Sequence, residues 1–205
     1  VKASGRLDHD PMIETLSKYI APGTVAVDVG ASIGDHTAGY LKSQAAMVVA
    51  FEPNPAAFEC LVHNCPRATC FRFALGGSSQ NRMMRISSPN YGASFVDVSW
   101  HHMHFNPDQV PVAIEPLDAF RFPHRISFIK IDVEGFEPDV LMGAEETIQR
   151  DRPVLCLEIN KGALERNNSS PLALLKELCR LGYMTGPVPR TAVDDLQWDC
   201  LAIPT

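Results

Sequence analysis

Residues 130–138 read KIDVEGFEP and place Asp132, Glu134 and Glu137 within six positions, directly after the apolar run ISFIKI. Lys130 is the one charge inside that run. On an extended strand, residues 130, 132 and 134 project from the same side. A carboxylate held there can take a proton from a hydroxyl while its oxygen attacks an electrophile. Asp132 and Glu134 are the candidate bases, and Lys130 is a catalytic partner or a salt bridge that tames them. The segment PVLCLEIN (153–160) offers a second route. Asp132, Glu158 and Asn160, at neighbouring strand ends, are three oxygen ligands suited to Mg²⁺, which would polarise the hydroxyl instead.

A second constellation lies upstream in VDVGASIGDHT. Gly30 and Gly34 stand between an apolar strand and a helix, where a missing side chain lets a ligand approach the backbone. The helix N-terminus that follows favours a negative group. Glu52 comes 22 positions after Gly30, at the end of the next apolar run, where a carboxylate accepts ribose hydroxyls. Asp28 is awkward beside a pyrophosphate but suits an ammonium or a sulfonium. S-adenosylmethionine presents both cations, a carboxylate and a ribose. An NAD(P)-dependent oxidoreductase is the alternative. Against it, GASIG is not GxGxxG, and no YxxxK follows any of the four tyrosines.

These residues need a scaffold. TVAVDVG (24–30), MVVAFE (47–52), TCFRFALGG (69–77), ISFIKIDV (126–133) and PVLCLEIN are nearly all apolar. Helical patterns separate them: Ile13, Leu16 and Ile20; Phe58, Leu61, Val62 and Cys65; a helix over 137–150 with Val140, Leu141, Ala144 and Ile148 inward; and Leu172, Leu175, Leu178 and Cys179. Apolar strands alternating with helices predict an α/β fold with a mostly parallel, doubly wound sheet. GYMTG and WDCLAIP predict a closing pair of strands. The expected organisation is one domain over 1–205. An irregular insertion at about 78–125 contains only MMRI and VPVAI as candidate strands. Its aromatics and histidines, notably Tyr91, Trp100 and His104, are expected to bind substrate, since flat rings suit sugar or macrocycle faces.

The successive stretches VDVGASIGDHT, AFEPNPAAFECLVHN, FALGG, EPLDAF, FIKIDVEGFEPDVLMGAEETI and PVLCLEI resemble the motifs of FkbM-like methyltransferases over roughly residues 20–160. Ser32 stands where that family often has Asn, and 88–110 matches only in NYGASF. The resemblance implies a Rossmann-like class I methyltransferase fold with an antiparallel C-terminal strand. It implies O-methylation of a hydroxyl on a small molecule or sugar, with S-adenosylmethionine as cofactor. By resemblance, Asp28, Gly30, Ala31 and Gly34 line the methionine end and Glu52 binds the ribose. Asn54 caps the next helix close to the adenosine, Phe73, Ala74 and Leu75 border the adenine, and Asp132 faces the transferring methyl.

A net charge of −6 and a pI near 5.6 do not favour a polyanionic partner, so no nucleic acid is expected. No apolar run approaches the roughly 20 residues of a membrane span. VKASGRLDHD lacks the apolar core of a signal peptide, and the six cysteines form no CxxC. A cytoplasmic setting is the expectation. Cys156 and Cys179 read as small core residues. A non-catalytic module that keeps this fold is the remaining alternative, disfavoured by retention of both carboxylate groups.

Overall fold

The computed structural model describes residues 11–86, 109–188 and 196–205, together with the backbone of 95–96. In chain order the elements begin with α1 (Pro11–Ser17), β1 (Val25–Val29), α2 (Asp35–Tyr40), β2 (Met47–Phe51), α3 (Pro55–Asn64) and β3 (Thr69–Phe71). Then come β4 (Ala74–Leu75), β5 (Gln80–Arg85), β6 (Phe95–Val96) and β7 (Gln109–Glu115). The chain continues through β8 (Ile126–Ile131), α4 (Glu137–Met142), α5 (Glu145–Asp151), β9 (Val154–Asn160), α6 (Lys161–Arg166), α7 (Pro171–Arg180), β10 (Tyr183–Pro187) and β11 (Gln197–Pro204).

Seven strands form the main sheet in the order β10-β11-β9-β8-β1-β2-β3. Its β9-β8-β1-β2-β3 part is parallel, and β11 runs antiparallel to both β9 and β10. Every residue of β1 and of β8 is buried, as the apolar runs require for strands covered on both faces. The fold is the expected Rossmann-like α/β architecture with an antiparallel C-terminal strand.

The structure departs from the sequence reading in several places. TCFRFALGG is not one strand: Thr69–Phe71 joins the main sheet, and Ala74–Leu75 joins a second sheet of order β4-β7-β5-β6. Arg72 and Phe73 form the hinge between the two sheets. MMRI and VPVAI are strands, β5 and β7, paired antiparallel. The helix expected over 137–150 is broken into α4 and α5. At the break, a Cβ on Gly143 would collide with the carbonyl oxygen of Gly76, so the helix yields to a close backbone approach. Asp118, from EPLDAF, then caps α5 by accepting the N–H groups of Glu146 (3.0 Å) and Thr147 (2.8 Å).

Two helices are rotated from their expected phase. On α7 the buried pair is Leu174 and Leu178, while Leu172 and Cys179 are exposed. On α3, Ala57, Leu61 and Cys65 pack inward and Val62 is 45% exposed. Cys156 is buried as expected, and all six cysteines are free thiols. Among the described residues, no helix is long and apolar enough to cross a membrane.

Gly30 follows β1 with φ +80°, and a Cβ there would strike the carbonyl oxygen of Asp132. The sequence points this glycine toward a ligand, and the neighbouring strand end demands it as well. Gly30→Ala should therefore cost about 3 kcal/mol or more, from left-handed strain plus a backbone collision. Thermal unfolding should show a loss on the order of 6–12 °C. A change within a degree would mean that the two strand ends separate easily.

Candidate active site

The main sheet reverses its direction of growth between β1 and β8, and open α/β sheets bind ligands beyond the strand ends at such a point. The register pairs Asp28 with Lys130 and Val29 with Ile131, so both strands open at one edge. Asp28, Gly30, Ala31, His36, Lys130 and Asp132 line a cavity of about 120 Å³ there.

Asp28 is wholly buried. Its Oδ2 accepts the Thr37 hydroxyl at 2.6 Å, and its Oδ1 has no partner. Lys130 is 3% exposed and donates from Nζ to Asp132 Oδ2 at 2.7 Å. The Asp132 side chain is 31% exposed. Burial opposes the charge on Lys130, but Asp132 and Asp28 outweigh it and lift its pKa. Burial also pushes Asp132 upward, yet the Lys130 ammonium beside it prevails and holds the carboxyl below its ordinary value. For Asp28 burial dominates, and its pKa is raised. The cavity thus holds the Lys130 ammonium, the ionised Asp132 carboxylate, the Asp35 carboxyl and the Asp28 carboxyl, whose burial outweighs the nearby Lys130 charge. His36 is kept neutral, pushed down to about 3 by burial and by Lys130.

Glu52 forms the floor of the glycine loop. Its Oε2 accepts the N–H of Ser32 and its Oε1 that of Asn54, both at 2.8 Å. Ser32, at φ +49°, is held in this left-handed turn by that bond. Each oxygen keeps a further lone pair for a ligand hydroxyl. Burial raises Glu52 to about 7. Asn54 is the N-cap of α3, its Oδ1 accepting from Ala56 (3.0 Å) and Ala57 (3.5 Å).

Other expected site residues fall elsewhere. Gly34, at φ +97°, packs its Cα against Cys65 and Leu61 behind the loop. Of Phe73, Ala74 and Leu75, only Phe73 lines a groove of about 570 Å³, with Pro53, Pro55, Arg72 and residues 110–113. Ala74 and Leu75 belong to the hydrophobic cores of the two sheets. Tyr91, Trp100 and His104 lie outside the described residues.

Strand alternation does not reach Glu134. β8 ends at Ile131, and Glu134 sits in a left-handed turn at φ +54°. Burial and the Asp132 charge raise its pKa. Glu158 lies beside Asp132 on β9. Its Oε1 accepts from Gln197 Nε2 at 2.7 Å, and burial with the Asp132 charge pushes it up to about 8. Asn160 is the N-cap of α6, its Oδ1 accepting from Ala163 N–H at 3.0 Å. With that oxygen engaged and an ammonium on Asp132, the Asp132–Glu158–Asn160 set gains no support as a magnesium site. Among the described residues, no group of three His, Cys, Asp or Glu side chains could hold a metal ion.

Glu137 is the residue whose role the sequence concealed. It is 1% exposed, and its Oε1 accepts the N–H groups of Val133 (3.3 Å) and Gly135 (3.1 Å). Its only signal was its place in an acidic first helical turn, which reads as ordinary dipole compensation.

Residues 28–184 match the family described as the Methyltransferase FkbM domain, which is more than half of the chain. The chain belongs to the FkbM methyltransferase family. An FkbM methyltransferase from Methylobacillus flagellatus has a similar structure, with TM-score 0.61 and 18% identity over 94% of this chain and 58% of that one. The FkbM chain described here thus spans 58% of that protein's length. Two further similar structures are the precorrin-6y C5,15-methyltransferase of Geobacter metallireducens and SMU.1697c of Streptococcus mutans in complex with SAH. The first has TM-score 0.54 and 14% identity over 99% and 93% of the two chains. The second has TM-score 0.54 and 11% identity over 93% of each. A search of curated proteins finds no match. At these identities the structural likeness shows the fold, and the family rests on the sequence match.

The raised carboxyls carry a pH signature. Glu52 and Glu137 each lie near 7 in the folded chain, above the usual 4.5. Between those values the folded chain holds protons that the unfolded chain has released. The stability they contribute is full below about pH 4.5 and is lost as pH rises through about 7. The chain without ligand should therefore melt several degrees lower at pH 8 than at pH 5.5. Differential scanning calorimetry across that window checks the sign. A melting point that rises with pH would mean that neither carboxyl is raised.

Proposed function

We propose that this FkbM chain is an S-adenosylmethionine-dependent O-methyltransferase acting on a hydroxyl of a small molecule or sugar. The observation that carries the reading is the Asp28–Lys130–Asp132 cavity. A fully buried carboxylate oxygen without a partner is costly unless a donor meets it. Asp28 Oδ1 is such an atom, in a cavity whose three carboxyl groups, Asp28, Asp35 and Asp132, outnumber its one ammonium. A ligand bearing an ammonium and a sulfonium fits that balance. Glu52, one loop away, has lone pairs for ribose hydroxyls. Phe73, the prolines Pro53, Pro55 and Pro111, and Val110 and Val112 offer a largely apolar groove to an adenine. Asp28, Glu52 and the Gly30–Ser32 loop would hold S-adenosylmethionine. When bound, it supplies a methyl group on a positively charged sulfur.

The protein's own part is alignment and proton removal. Asp132 is ionised, partly exposed and at the cavity edge. It can accept the proton of an acceptor hydroxyl as the oxygen–carbon bond forms and the carbon–sulfur pair leaves with sulfur. Lys130 holds that carboxylate in place. The acidic net charge supports a neutral acceptor over a polyanion.

Incubation with methyl-tritiated S-adenosylmethionine and a panel of sugars, macrocyclic alcohols, amines and RNA tests the reading. Label is expected in a hydroxylated compound. Label confined to amines or RNA would overturn the hydroxyl assignment. Saturable cofactor binding with no transfer to any member would favour a non-catalytic module.

A further inference from the structure

We propose that Glu137 is a positioning residue for methyl transfer, acting by bracing the turn that follows Asp132; this rests on Asp132 being the base. Asp132 is anchored in front, its N–H donating to Val29 at 3.0 Å. Behind it the chain reverses through two left-handed residues, Glu134 at φ +54° and Gly135 at φ +99°. A side chain at the first of these costs about 1–2 kcal/mol, so the turn does not form of its own accord.

Two contacts hold it. On one side the Ala163 backbone closes against Gly135, leaving no room for a Cβ. On the other, a single oxygen of Glu137 gathers the N–H groups on both sides of Glu134. Its second oxygen is buried and unpartnered. A buried, half-satisfied carboxylate is an expensive way to start a helix, since a short polar side chain would cap α4 at the surface. What it does instead is fix the turn at both amides. Phe136, between Gly135 and Glu137, packs into the core of the second sheet with Met84, Val112 and Ile114. The brace therefore sets the Asp132 strand end against both sheets. A displacement of the base by about 1 Å costs on the order of 10²-fold in rate.

The test compares Glu137→Gln, Glu137→Asp and Glu137→Ala. The readouts are kcat and KM for the best acceptor of the panel, S-adenosylhomocysteine affinity, and amide hydrogen exchange at Val133 and Gly135. Glu137→Gln keeps an oxygen for both amides and should stay within threefold of wild-type kcat. Glu137→Ala should lose about 10–10²-fold in kcat, with faster exchange at Gly135 and S-adenosylhomocysteine affinity within threefold. If Ala does not fold, Glu137→Asp, one methylene too short, should show the same pattern more weakly. Placed on Asp132→Asn, Glu137→Ala should cost less than threefold more, because both act on one group. A folded Ala or Asp variant with wild-type kcat overturns the proposal. So does a Gln variant as slow as Ala, or a full Ala effect on the Asp132→Asn background. An Asp132→Asn enzyme at wild-type rate would instead sink the base assignment itself.

Discussion

Asp132→Asn should give a folded protein that still binds S-adenosylhomocysteine but transfers methyl groups about 10²-fold more slowly, or worse. The amide keeps the shape of the side chain and can still accept from Lys130 Nζ, which donates at 2.7 Å. It cannot take a proton from a hydroxyl. It also leaves a buried ammonium without its charged hydrogen-bond partner, so a drop of a few degrees in melting temperature should accompany the rate loss. Tritium transfer at saturating cofactor measures the rate, and calorimetry measures the affinity. Magnesium and EDTA should leave the wild type unchanged, because Asn160 is spent as a helix cap and Asp132 is paired with an ammonium. A rate abolished by EDTA and restored by Mg²⁺ would return Asp132, Glu158 and Asn160 to the metal role.

Glu52→Ala should weaken S-adenosylhomocysteine binding by about 10² to 10³-fold, the loss expected for two charge-assisted hydrogen bonds. The effect has two sources in the structure. The ribose hydroxyls lose their acceptor, and the Ser32 N–H, held at 2.8 Å, loses the partner that fixes the glycine loop. Glu52→Gln should fall between, since an amide presents one acceptor where the loop uses two. Raising the pH from 6 to 8 should tighten binding to the wild type as Glu52, near 7 without ligand, ionises. That pH response should be absent in Glu52→Gln. Isothermal titration of all three proteins separates these outcomes. Equal affinity in wild type and Glu52→Ala would remove Glu52 from the site.

Much of the scaffold was legible because β1, β2 and β8 are apolar runs, broken only by Asp28, Ser127 and Lys130, of a kind that only a doubly covered sheet can use. The rim carboxylates Asp28, Glu52 and Asp132 were legible for the same reason: a charge at the end of such a run stands out. What could not be read depends on contacts distant in sequence. Nothing local shows that the Asp132 carbonyl also lies against Gly30. TCFRFALGG looks like one strand because β-propensity does not say which sheet a residue joins. Asn160 looks like an oxygen ligand until the short α6 behind it claims that oxygen. Glu134 was favoured over Glu137 by carrying strand alternation three residues past Ile131, where the backbone has already turned left-handed. Leu172, Cys179 and Val62 were misplaced by phase, since a helix with apolar residues on several sides has more than one plausible inner face.

The central claim is that Asp28 and Glu52 hold S-adenosylmethionine so that its methyl group meets an acceptor at Asp132. A crystal structure of the chain with S-adenosylhomocysteine tests it most directly. The account predicts the ligand amino group within hydrogen-bond distance of Asp28 Oδ1, both ribose hydroxyls on Glu52, and the sulfur edge open toward Asp132. A ligand seated elsewhere, with Asp28 Oδ1 still lacking a partner and Glu52 touching only Ser32 and Asn54, would contradict it.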